Sequence, residues 1–115
     1  MMIELIKLVS DATESEVRSA YNVHGALHSK NEGYGVLAEE MEEVLEQIAI
    51  MRRYTDSLVR VIRYDLRELG ADLAAIKKSA ILTACESIQV AAVAQRFLDL
   101  INEVKCDVHL SSGDG

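Results

Sequence analysis

Proline and tryptophan are absent from this sequence, and phenylalanine occurs once. Without proline, no position carries an obligatory kink or helix stop. Aromatics make up only 4% of residues while Ala, Leu, Ile, Val, Glu and Arg dominate, a composition of packed helices and not of a sandwich or barrel. Cysteine is scarce as well. Cys85 and Cys106 stand in no metal-ligand spacing and read as reduced thiols, which excludes a disulfide scaffold. The opening segment MMIELIKLVSDATES carries Glu4, Lys7 and Asp11, so it lacks the uninterrupted apolar core of a signal peptide, and a cytoplasmic location is expected. Two chemical signatures are missing too. There is no G-x-x-x-x-G-K-[ST] phosphate loop, and no Ser/His/Asp or Cys/His set in a recognisable spacing to support covalent catalysis.

What the chain does hold is acid. Its 115 residues suffice for one domain, expected over residues 1–107 with a flexible polar tail over 108–115, and its formal net charge is -7. Nearly all of that charge is local. Residues 32–46 contain six glutamates (Glu32, Glu39, Glu40, Glu42, Glu43 and Glu46), and no basic residue follows Lys30 until Arg52. Such a surface repels nucleic acid and attracts cations.

Helical periodicity organises the rest. Ile3 to about Asn22 reads as a first amphipathic helix with Leu5, Leu8, Val9, Ala12, Val17 and Ala20 inward. His24 to Gly35, with Gly25, Gly33 and Gly35, reads as a connecting loop. From Val36 to about Arg52, Leu37, Met41, Val44, Leu45 and Ile48 form one core-facing stripe. A further helix is expected from about Asp56 to Leu69, with Leu58, Ile62, Leu66 and Leu69 inward, Arg60, Arg63 and Arg67 outward, and Gly70 as C-cap. Asp72 is then the expected N-cap of a segment leading into the strongest apolar run, Ala80 to Ile101. Glu86, Arg96 and Asp99 interrupt that run, which makes a membrane span costly and a central core helix the better reading. The run is apolar nearly all round, so one small domain does not cover it. The expected architecture is therefore all-α, an oligomeric bundle of four to five helices.

At about 100° per residue, Glu39, Glu42 and Glu46 point away from the apolar stripe, whereas Glu40 and Glu43 lie one turn apart on its edge. Like charges so placed repel each other by a few tenths of a kcal/mol, and by more when partly desolvated. Glu86 shares a face with Leu82, Val90, Val93 and Phe97, and Gln89 follows it at i+3. A carboxylate within an apolar stripe needs a cation or a specific partner. One solution is an ion pair with an arginine from Arg52 to Arg67, or with Arg96. The other is a metal site in which Glu40, Glu43 and Glu86 supply hard oxygen ligands and Gln89 a neutral fourth, suited to Mg²⁺ or Mn²⁺.

The sequence Glu39-Glu40-Met41-Glu42-Glu43 matches the E-E-x-x-E motif of the MazG-like all-α nucleoside triphosphate pyrophosphohydrolases. The lead-in His28-Ser-Lys-Asn-Glu-Gly-Tyr-Gly-Val-Leu and the later Glu86-Ser-Ile-Gln-Val-Ala-Ala-Val-Ala-Gln-Arg-Phe resemble a small subgroup of that family, so the resemblance spans roughly residues 24–100. It implies a helical oligomer, a dimer or tetramer, that uses Mg²⁺ to cleave a nucleoside triphosphate into the monophosphate and pyrophosphate. By motif position it makes Glu40, Glu43 and Glu86 metal ligands and Glu39 the base or water-orienting group. Gln89 stands where the wider family has Asp, which removes one negative charge. Lys30, one of the arginines, His28 and Tyr34 are the candidate substrate contacts, through phosphate, hydrogen bonding and base stacking. A second class of function stays open, a non-catalytic helical oligomer that binds nucleotide or metal without turnover, or serves as an interaction module.

Overall fold

The computed structural model describes residues 1–62 and 65–113, with side chains described up to residue 103. All regular structure among the described residues is helical: α1 (Met2–His24), α2 (Lys30–Val61) and α3 (Leu66–Gly113). The all-α expectation is met, with three long helices among the described residues where four to five shorter ones were expected. None of them is long and apolar enough to cross a membrane.

The helix boundaries follow capping chemistry. α1 ends where Gly25 adopts φ +73° and donates its N–H to Tyr21 O at 2.9 Å. Glycine makes that left-handed turn without a Cβ penalty. α2 starts at Lys30 because Ser29 caps it: Ser29 Oγ accepts the Glu32 N–H at 3.1 Å, and the Glu32 carboxylate reaches back to the His28 N–H at 3.2 Å. This is close to the reciprocal S-x-x-E arrangement of a capping box. The expected loop over 24–35 therefore shrinks to residues 25–29, and Gly33 and Gly35 belong to the helix. Gly33 is retained there for a packing reason: a Cβ on it would stand 2.6 Å from Phe97 Cδ2 and 2.7 Å from Cε2.

No helix end occurs between Arg52 and Asp56. Thr55 Oγ1 and Ser57 Oγ donate to the carbonyls of Met51 and Tyr54, both at 2.8 Å, so these polar residues are accommodated inside α2. The chain breaks later. Asp65 caps α3, its Oδ1 accepting the N–H groups of Arg67 at 2.9 Å and Glu68 at 3.2 Å. Gly70 and Asp72 consequently lie within α3 and cap nothing. A glycine costs a helix interior about 1 kcal/mol, too little to break one that tertiary packing and a good cap support. Arg63 lies outside the described residues, as do the side chain of Cys106 and residues 114–115; where a flexible tail was expected over 108–115, α3 continues through residues 108–113, and Cys85 is a free, exposed thiol.

The chain divides into two compact units, Met1–Glu39 with Ile88–Gly115, and Glu40–Ser87. In the first, Leu27, Ala92, Val93 and Arg96 are buried. Tyr21 Oη donates to Asp99 Oδ2 at 2.6 Å, and burial together with this hydrogen bond pushes the phenol up to about 12. In the second unit Val44, Val61 and Ser79 are buried, and Ser57 Oγ lies 3.2 Å from Asp72 Oδ2.

Several residues expected inside are open. Leu5, Leu8, Val9 and Ala12 of α1 are exposed, while Val17 and Ala20 are half-buried as expected. In α2 the covered line runs through Val36, Glu40, Val44, Gln47 and Met51, so Met41, Leu45 and Ile48 face outward, Leu45 at 52% and Ile48 at 41% exposure. Ile62 and Leu66 flank the break and are exposed; Leu58 and Leu69 are half-buried. Each long helix carries more apolar surface than the chain itself covers.

Candidate metal centre

Within the Glu40–Ser87 unit, α2 contributes Glu40 and Glu43 and α3 contributes Glu86. The i, i+3 spacing puts the first two on adjoining turns of one face. One carboxylate oxygen from each of the three lies within 4.8 Å of the others. Glu40 and Glu86 are half-buried, and Glu43 is exposed. Glu86 sits on the covered line of α3, after buried Ser79 and half-buried Thr83 and before half-buried Val90 and buried Val93. The carboxylate written into the apolar stripe is thus where the periodicity put it, although Leu82 on that stripe is exposed.

The electrostatics of the group are those of acids crowded together. Glu86 is raised above the ordinary glutamate range, first by its side-chain hydrogen bond with Glu43, then by burial and by the charges of Glu43 and Glu46. Two carboxyl groups that share a hydrogen bond must hold a proton between them. Among the described residues no arginine is paired with Glu86; Arg52 pairs with Asp56 at 3.9 Å, and Arg63, one of the arginines of the ion-pair alternative, lies outside the described residues. Arg96 instead donates from Nη2 to Gly25 O at 2.9 Å.

The donor set fits a hard divalent cation. Mg²⁺ takes oxygens at about 2.1 Å, so octahedral ligand oxygens stand about 3 Å apart when adjacent and about 4.2 Å apart when opposite. Three oxygens that lie within 4.8 Å of one another would therefore close by up to about 1.8 Å on binding to reach adjacent positions. The set contains no thiol or imidazole to favour zinc or copper.

The remaining candidates are placed as follows. Glu39 directly precedes Glu40 and is exposed; Glu42 and Glu46 are exposed, the solvated face expected of them. Gln89 is half-buried on α3, one turn after Glu86. Lys30 is the first residue of α2 and exposed, and Tyr34 is 71% exposed in the same helix. His28 is exposed and engaged with Glu32 through Nδ1 at 3.0 Å. Arg60 lies in the last turn of α2 and lines a surface groove with Arg53, Asp56, Ser57 and Val59. Arg67 is exposed in the first turn of α3. Glu39, Gln89, Lys30, His28 and Tyr34 all belong to the first unit, and the three convergent carboxylates to the second.

Sequence reasoning missed the roles of Ser29 and Glu32 as a cap, although the S-x-x-E spacing was there to be read. It also missed the burial of Arg96, for which an amphipathic pattern gives no signal. Compared with known proteins, the chain matches no family model, no curated protein and no solved structure.

Proposed function

We propose that this chain is a Mg²⁺-dependent nucleoside triphosphate pyrophosphohydrolase, converting a (deoxy)nucleoside triphosphate to the monophosphate and pyrophosphate as a cytoplasmic homo-oligomer, a dimer or tetramer. The observation that carries the reading is the convergence of Glu40, Glu43 and Glu86 from two helices within 4.8 Å. The motif resemblance gives that convergence its chemical direction.

Glu40, Glu43 and Glu86 would hold the ion, with Gln89 offering a neutral amide oxygen. The bound ion supplies charge compensation on the phosphates and polarises the bond to be cleaved, with Mn²⁺ a suitable substitute. Glu39, one position before Glu40, orients the attacking water and accepts its proton. Lys30 neutralises phosphate charge from the first turn of α2, joined by an arginine such as Arg60 or Arg67. Tyr34 presents an open ring for base stacking, and His28 a hydrogen bond to the substrate. The apolar surface left open on α1 and α2, including Leu8, Leu45 and Ile48, supports assembly with further copies of the chain.

Pyrophosphate release over a panel of nucleoside triphosphates, with and without Mg²⁺, tests the reading. Glu40→Gln should lower turnover by about 100-fold or more, the size expected when charge stabilisation at the reacting phosphate is lost, while Glu42→Gln keeps near-normal turnover. Equal loss in both variants, or none in either, rejects the ligand assignment. Gln89, at a position where the related motif has Asp, favours a second reading, a helical oligomer that binds metal or nucleotide without turnover. Metal binding with no pyrophosphate release from any nucleotide would select it.

A further inference from the structure

In the second unit, the open face of α2 carries charges sorted by sign along its length. Glu42 and Glu46 are exposed in its earlier half, and Arg53 and Arg60 in its later half. At about 100° per residue these four form one row, within an arc of about 40°. Glu42 and Glu46, at i and i+4, repel each other. None of the four has an ion-pair partner among the described residues, where Arg52 holds Asp56 at 3.9 Å and His28 holds Glu32 at 3.0 Å. The helix dipole does not account for the acidic half. Its influence is confined to the terminal turns, and Glu42 stands about three turns beyond Lys30, where α2 begins.

An apolar row runs beside the charged one. Met41, Leu45, Ile48 and Val59 are 41–79% exposed and, with exposed Arg52 and Thr55 between them, follow the alternating four-and-three spacing of a helix–helix seam. From Met41 to Val59 the row is about 27 Å long, or about five turns. Ala49, small and exposed, stands between the two rows near their midpoint.

We propose that this face of α2 docks on the same face of a second copy of the chain, antiparallel, about a two-fold axis near Ala49. Such an axis brings residues whose numbers sum to about 100 level with each other, so Met41 meets Val59, Leu45 meets Thr55, and Ile48 lies on the Arg52 stem. It also keeps the charged rows of both copies on one side of the pair. Glu46 then stands level with Arg53 of the second copy, and Glu42 within a turn of Arg60, each contact occurring twice. Asp56 comes opposite Glu42 but is already held by Arg52. A parallel pair would instead set Glu46 against Glu46 and Arg53 against Arg53. A partner of one charge would satisfy only half of the row, whereas a reversed copy satisfies both halves. The pairing rests on the self-association in the proposed function and gives it a surface and a geometry; it needs neither the three convergent carboxylates nor turnover.

Charge exchange between Glu46 and Arg53 tests this on the intact chain without metal or nucleotide, with Kd read by sedimentation equilibrium and composition by native mass spectrometry. Both side chains are exposed, so the far-UV circular dichroism of the variants should match the wild type. Glu46→Arg alone, or Arg53→Glu alone, turns two attractive contacts into repulsive ones and should raise the Kd of self-association about 10- to 100-fold. An equimolar mixture of these two variants should form the mixed pair in preference to either homodimer, because each carries the charges that the other needs. The double variant should pair with itself and exclude the wild type, and it decides the matter if either single variant does not fold. Single variants that associate as the wild type does, or a double variant that mixes with the wild type in statistical proportion, overturn this pairing and leave self-association to another surface. A wild type that stays monomeric at every concentration overturns the pairing and the oligomeric state together.

Discussion

Glu86 is where the chemistry of the site is most exposed to test. Its raised pKa means that, in the absence of metal, the folded chain keeps a proton which the unfolded chain releases near the ordinary value of 4.5. Stability from this group is therefore fully present below that value and is lost as pH rises through the raised one. In chelator, the wild type should lose stability across that window relative to Glu86→Gln, which cannot titrate. Adding Mg²⁺ or Mn²⁺ should reverse the loss, with stabilisation growing as pH rises and protons released on binding; a metal at a hundred times its Kd contributes about 2.7 kcal/mol. Matching pH profiles for the two proteins, read by thermal unfolding, would refute the shared proton. Glycines give a second contrast. Gly33→Ala gains about 1 kcal/mol of helix propensity but drives a methyl into the Phe97 ring, for a net loss of about 1–2 kcal/mol. Gly35→Ala meets nothing within 4 Å and should gain about 0.5–1 kcal/mol. Urea denaturation midpoints of the two variants separate them by sign.

Helix ends show what can and cannot be read from the sequence. α1 and the start of its terminal turn were legible because a 3.6-residue pattern meets a glycine. The core of α2 was legible for the same reason. The break between α2 and α3 was misplaced because Gly70 and Asp72 look like a stop and a start, while Asp65 with Glu68 three positions on is a better start that the apolar pattern does not mark. The inner face of α2 was misread by a fraction of a turn. Of the expected stripe Leu37 and Val44 are covered while Met41, Leu45 and Ile48 are not, and the covered line passes through Glu40. The same shift makes Glu40 more enclosed than an edge position would be, and it is why the carboxylates converge. Two substitutions check the boundary. Gly70→Ala, with open space around its Cβ, should raise stability by about 0.5–1 kcal/mol, whereas a true C-cap at positive φ would lose stability. Asp65→Ala should cost about 1 kcal/mol through the two N–H groups it leaves uncapped, and Asp72→Ala should leave the helix start untouched.

For the whole molecule, the balance of surfaces is the informative quantity. The buried apolar core comprises Leu27, Val44, Val61, Ala92 and Val93 among the described residues, with no large side chain fully buried. Meanwhile Ile3, Ile6, Leu8, Leu45, Ile48 and Ile81 remain open. Isolated open apolar residues are ordinary; rows of them along amphipathic helices mark association surfaces. Light scattering coupled to gel filtration should therefore give a mass of at least twice the 12.7 kDa chain, and Leu5→Glu combined with Leu8→Glu should shift the mass downward. A monomeric wild type would leave those rows without a purpose and remove the oligomeric part of the proposed function.

The division of the chain has a further consequence, for the order of events at the ribosome. The first unit is assembled from both ends of the polypeptide, so the Tyr21–Asp99 hydrogen bond joins residues 78 positions apart. The first 39 residues must wait for about 60 more to be translated, roughly 3–12 s at 5–20 residues per second. During that interval α1 stands outside the ribosome with its partner in α3 not yet made.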